Sequence, residues 1–179
     1  MIVPQPSRAL ALASSLGLAM LCIGGANALA QISDADIVSG EAEVIDADIL
    51  RIGNQRVILW GIDAPERSQT CQRDGQRWGC YDAARRALEL LAGRAEVTCY
   101  LQGEADPFGR RHGVCESGGE DLAAEMVRQG MALAWEEQTD AYVPAQIEAI
   151  AAQRGLWHLG VQFREPWEFR KANTPGGYR

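Results

Sequence analysis

Val44-Ile45-Asp46-Ala47-Asp48-Ile49-Leu50-Arg51-Ile52, then Gly53-Asn54, then Gln55-Arg56-Val57-Ile58-Leu59-Trp60-Gly61-Ile62-Asp63-Ala64-Pro65-Glu66, is the most informative run of the chain. It is rich in β-branched and aliphatic residues and broken by turn formers, which is the pattern of consecutive strands. Strands are expected over 38–45, 48–52 and 56–62, with Gly53-Asn54 as a tight hairpin turn. Acidic side chains cluster where these strands end. Asp48 and Asp63 flank the hairpin, so an antiparallel fold brings them to one end of the sheet. Two carboxylates there, with a main-chain carbonyl and waters, offer the hard oxygen ligands that Ca²⁺ prefers. Glu66 lies one turn further on, in reach of a water it would orient or deprotonate. On spacing alone the same acids are read first as solvated turn and cap residues, a common use of Asp.

Further along, residues 63–78 are polar and contain Pro65 and Gly75, so a long ordered loop is expected. A helix follows over 81–91, with Ala84, Ala87, Leu88 and Leu91 on one stripe. Strands at 96–101 and 110–116 are joined by a turn near Asp106-Pro107. Residues 121–128 form a second helix stopped by Gly130, and 131–135 a short strand. Pro144 opens a third helix with Ile147, Ile150 and Ala151 turned inward, closed by Gly155. From Gly160 the chain reads as irregular, ending in a mobile tail over 173–179. Five strands with about three helices inserted late fit a five-stranded barrel of the OB type, an α+β, mainly β architecture.

The cysteines add a constraint. Residues 1–30 have one charge, Arg8, an apolar middle and Ala28-Leu29-Ala30 before Gln31, the pattern of a cleaved signal peptide. The domain proper is then 31–172, secreted or periplasmic, with no stable membrane association once the leader is removed. Cys71, Cys80, Cys99 and Cys115 remain, and four cysteines in an exported domain suggest two disulfides. Their spacing lacks the close pairs of a zinc site. A hairpin folded about Pro107 sets Cys99 opposite Cys115, which leaves Cys71 with Cys80.

The 179 residues carry a net charge of −7, which excludes a protein that grips nucleic acid mainly by its overall charge. Phosphate chemistry needs local positive charge, and Asp106-Pro107-Phe108-Gly109-Arg110 supplies it: the Arg110 guanidinium suits bidentate contact with phosphate. Taken alone, the segment is also an ordinary hairpin turn.

Taken in order, these segments resemble the thermonuclease family, the staphylococcal-nuclease-like domains. The likeness runs from Val44-Ile45-Asp46-Ala47-Asp48 through Leu59-Trp60-Gly61-Ile62-Asp63-Ala64-Pro65-Glu66 and Phe108-Gly109-Arg110. Asp121-Leu122, Val127-Arg128-Gln129-Gly130-Met131-Ala132 and Arg154-Gly155-Leu156-Trp157 complete it. The resemblance implies an OB barrel that hydrolyses DNA or RNA, single strands favoured, as a monomer with one Ca²⁺. It implies that Asp48, Asp63 and the Ala64 carbonyl hold the metal, that Glu66 activates water and that Arg110 clamps phosphate.

The pattern breaks in four places. Ala47 stands where a glycine is usual. Ile49 stands where a threonine is usual. Glu136-Glu137 follow Trp135 where basic residues are common. Ile58 stands where active members carry a second catalytic arginine, and losing such a donor costs about 10²–10³ in rate. Arg56, two residues away on the same strand face, is a partial substitute at best. His112 and His158 are isolated and read as structural or solvated, and Trp60, Trp78, Trp157 and Trp167 as packing residues. A disabled module that binds nucleic acid or a protein is the alternative reading.

Overall fold

The computed structural model describes residues 36–173. The expected signal peptide and the tail beyond Asn173 lie outside the described residues. In chain order the strands and helices begin with β1 (Ile37–Gly40), β2 (Ala42–Asp46), β3 (Ile49–Ile52), β4 (Gln55–Leu59) and β5 (Ile62–Asp63). Next come β6 (Cys71–Arg73), β7 (Gln76–Trp78), α1 (Cys80–Ala92), β8 (Val97–Gln102), β9 (Arg110–Ser117) and β10 (Glu120–Asp121). The last are α2 (Leu122–Arg128), β11 (Leu133–Ala134), α3 (Val143–Ala151), β12 (Val161–Gln162) and α4 (Pro166–Asn173). Among the described residues no helix is long and apolar enough to cross a membrane.

The main sheet runs β1-β8-β9-β4-β3-β2, with β10 added to β9. Its two ends are β1 and β2, which a single residue, Glu41, joins in sequence. The strand expected over 38–45 is therefore one bent run that pairs with β8 through its first half and β3 through its second. Joining the two ends of a twisted sheet this way curls it into an OB-type barrel. Counting the bent run once, β3, β4, β8 and β9 complete the expected five strands. β4 and β9 run parallel, with Arg56 beside Arg110 and Ile58 beside His112.

Alternation along the strands fills the barrel. Leu50, Val57, Leu59 and Val97 are buried in its core, and α1 adds Ala84, Leu88 and Leu91 to the same core. Arg85 and Glu89, on the outer face of α1, pair one turn apart at 3.0 Å. Asp121 caps α2 by accepting from the Ala124 N–H (3.1 Å), and its other oxygen accepts from the Tyr142 hydroxyl (3.0 Å), tying α2 to α3. Both disulfides pair as expected, Cys71–Cys80 and Cys99–Cys115, the latter across directly opposed residues of β8 and β9.

Three expectations are corrected. The loop expected over 63–78 contains β5 and a β6–β7 hairpin turned at Asp74-Gly75, so its polar residues are exposed strand positions. The α3 stripe faces outward: Ile147 and Ile150 are 61% and 45% exposed, while Ala145 and Ala149 are buried. The buried face of α3 thus carries only alanine side chains. Gly155 does not close α3, which ends at Ala151. Its φ of +54° and the 2.3 Å that would separate a Cβ from the Gly130 carbonyl oxygen mark it as a close backbone crossing between the turns after α2 and α3.

The segment expected to be irregular after Gly160 also carries structure. β12 pairs with β6, and α4 follows, opened by Pro166, so the described residues hold four α-helices where about three were expected. A small second core of Cys71, Cys80, Leu133 and Leu156, flanked by Trp78, Trp157, Phe163 and Trp167, holds this segment to the barrel.

Candidate active site

The β2–β3 turn carries Asp48, and its carbonyl accepts from the Leu59 N–H at 2.9 Å, which fixes the turn to the end of β4. From there the chain must reverse quickly to enter β5, and Gly61 makes the reversal possible. Its φ is +75°, and a Cβ would sit 2.5 Å from the Thr139 methyl. The Gly61 carbonyl then accepts from the Trp135 N–H (2.8 Å), and β5 pairs with β11, placing Asp63 opposite Leu133. Asp63 is completely buried as a result.

Beyond Ala64 and Pro65, Gln69 fixes Glu66. The Gln69 side-chain oxygen accepts from the Glu66 N–H (3.1 Å), and the Gln69 N–H donates to the Glu66 carbonyl (2.7 Å). Arg110 opens β9. Asp106 accepts from the Phe108 and Arg110 N–H groups and from Arg110 Nε (2.6 Å), so the turn itself orients the guanidinium.

Asp48, Ala64, Glu66 and Arg110 line one cleft of about 160 Å³, whereas Asp63, expected beside Asp48, is fully buried and is not among its lining residues. Ile58, 2% exposed, forms an apolar part of the same cleft. Arg56 does not line it; its guanidinium is tied to the Phe108 carbonyl, bracing the turn behind Arg110. His112 stacks edge-on against Trp60 and lies 3.3 Å from the Gln138 amide nitrogen, a structural role.

One cleft residue was not singled out in the sequence. Arg170, from α4, reaches in with its side chain 8% exposed. Its Nη1 donates to Asp63 Oδ1 (2.8 Å) and to Glu66 Oε1 (2.5 Å), and its Nη2 to Asp63 Oδ2 (2.7 Å). The sequence held only a weak hint: Pro166 as a helix opener with Arg170 and Lys171 in the last turn.

Burial pushes the Glu66 carboxyl above its ordinary value. The Arg170 hydrogen bond opposes this, and the charges of Asp48 and Asp63 add to it. For Arg170, burial works against the charge, but the bonds to Asp63 and Glu66 outweigh it and hold the guanidinium firmly protonated. A proton shared between these groups therefore belongs to the arginine.

This pairing bears on the calcium that the resemblance implies. Both oxygens of Asp63 are engaged by the guanidinium. Among the described residues no three His, Cys, Asp or Glu side chains converge where a metal ion would fit. As arranged, the carboxylates fit an organic cation, Arg170, rather than Ca²⁺.

Comparison with known proteins agrees with the barrel. The model of the family described as staphylococcal nuclease homologue matches residues 56–159. A "Succinoglycan biosynthesis protein ExoI" of Rhizobium meliloti (strain 1021) is 32% identical over 129 residues, covering 69% of this chain and 66% of that protein. "Probable endonuclease LCL3" of Debaryomyces hansenii is 31% identical over 139 residues, covering 67% of this chain and 54% of its own. Its namesake in Meyerozyma guilliermondii is 30% identical over 134 residues, with 66% and 55% covered. The chain thus spans between about half and two thirds of the length of these relatives. The family match ends before β12 and α4.

Proposed function

The chain belongs to the staphylococcal nuclease homologue family, and on that premise we propose that it is a nuclease that hydrolyses phosphodiester bonds of DNA or RNA in the cleft between Glu66 and Arg110. The observation that carries the proposal is that a half-buried carboxylate and a turn-oriented guanidinium line one small cleft.

In this reading Glu66 accepts a proton from the attacking water; burial raises its affinity for that proton, and its bond to Arg170 aims the carboxylate. Arg110 holds a non-bridging phosphate oxygen and stabilises the charge that grows there during attack. Asp48 on the cleft wall raises the local negative potential, so an incoming phosphodiester depends on the guanidinium groups for its binding energy. Calcium supplies Lewis-acid charge in the reaction that the resemblance implies. It would need the Asp63 carboxylate that Arg170 holds, so no step is assigned to it. The leader-like residues 1–30 and the two disulfides support placing the enzyme outside the cytoplasm.

The test is cleavage of a labelled single-stranded oligonucleotide by purified protein, with Ca²⁺ and with chelator. Glu66→Gln should reduce the rate by about 10²–10⁴ without changing the circular dichroism spectrum. No cleavage by wild type in either condition, on DNA or RNA, rejects the proposal. Ile58 favours one second reading, a module that binds nucleic acid without cutting it; retained binding with no cleavage is its signature.

A further inference from the structure

We infer that Arg170 is a phosphate-binding residue of this cleft, supplied by the C-terminal helix and acting beside Arg110; the inference rests on the phosphodiester reading above. The argument starts from the five N–H donors of a guanidinium. Three are used: two on Nη1, to Asp63 and Glu66, and one on Nη2, to Asp63. Among the described residues no hydrogen bond uses Nε–H or the second Nη2–H. These two donors are parallel and share one edge of the planar group, the edge that matches two oxygens of a phosphate.

Position supports the assignment. Arg170 lines the same cleft as Arg110 and Ile58, so this second guanidinium enters the space where the strand itself offers only an isoleucine. It comes from beyond the residues that the family match covers.

Arg170 is also held in place from several directions. Asp63 grips its far edge, completely buried. The Gln69 side chain, which already fixes Glu66, donates to the Arg164 carbonyl at 2.6 Å just before α4. β12 is paired to β6, and Trp167 packs on the second core around Cys71–Cys80. A guanidinium so anchored loses little further freedom on binding an anion, which favours recognition over simple charge pairing.

A purely structural arginine, or one that blocks the cleft, predicts different behaviour. Binding of a fluorescein-labelled twelve-residue oligothymidylate, followed by anisotropy in chelator across a salt series, separates them. Arg170→Lys keeps the charge but removes the planar fork, and should weaken binding about tenfold. Arg170→Gln combined with Asp63→Asn removes the buried pair without stranding a charge. It should weaken binding at least as much and make the slope of log K against log salt shallower by about 0.7, the signature of one lost contact to single-stranded phosphate. Unchanged affinity and slope in Arg170→Lys and the double variant, or tighter binding in either, overturns the inference. Wild-type protein that neither binds nor cuts nucleic acid removes the proposed function with it. Wild-type binding and cleavage with indifferent variants removes this inference alone.

Discussion

The two disulfides lie in bodies of different kinds. Cys99–Cys115 joins neighbouring strands inside the barrel, surrounded by the large apolar core. Cys71–Cys80 lies in the small second core, where four buried residues and a rim of aromatics hold β12 and α4. The candidate site draws on both. Asp48, Glu66 and Arg110 are positioned by the barrel and its turns, whereas Arg170 is positioned by the second core. The contrast teaches that a family barrel can position the candidate groups while a segment beyond the family match decides what counter-charge they meet.

The comparison can be broken first at Arg170. Arg170→Ala leaves the buried Asp63 carboxylate without its cation, which typically costs about 3–5 kcal/mol. The urea unfolding midpoint should fall accordingly; an unchanged midpoint would mean that the second body is not coupled to the barrel. Next comes the barrel disulfide. Replacing Cys99 and Cys115 with serine releases a closure spanning 16 residues, about 3 kcal/mol by chain entropy, and should lower global stability by a similar amount.

The second disulfide sharpens the contrast because its closure, 9 residues, is worth only about 0.5 kcal/mol less by the same estimate. If the bodies differ as described, replacing Cys71 and Cys80 with serine should speed hydrogen exchange in 160–173 while leaving exchange in β8 and β9 unaltered. Uniform acceleration across the barrel would show that there is a single cooperative unit. The smallest effect belongs to the outer face of α3. Ile147→Glu should change stability by no more than about 0.5 kcal/mol, because the side chain is already mostly in water. A loss of several kcal/mol in the thermal melt would mean that this face is covered in solution.

Much of the barrel was legible from local pattern. Gly53-Asn54 marked the β3–β4 hairpin, and the centre of the Cys99–Cys115 interval marked the turn that places those residues opposite each other. Asp48, Ala64 and Arg110 were legible as candidates because each sits in or beside a turn at a strand end, with Glu66 in the loop that follows β5. The stripe on α3 misled because Ile147 and Ile150 satisfy helical periodicity as well as Ala145 and Ala149 do. Side-chain hydrophobicity alone does not tell which face has room for a neighbour. The β6–β7 hairpin was hidden by its polar composition, since its outer residues face water and its pairing with β12 depends on residues some ninety positions away.

By itself, then, the sequence determined the barrel, both cysteine pairings and the acidic and basic groups at one end of it, because short-range periodicity and turn chemistry specify such features. Only the tertiary structure decided that Arg170 meets Asp63 across 107 positions of chain. That contact follows from the docking of a second core, and the free energy that holds it there comes from apolar surfaces and a buried ion pair that no local stretch contains.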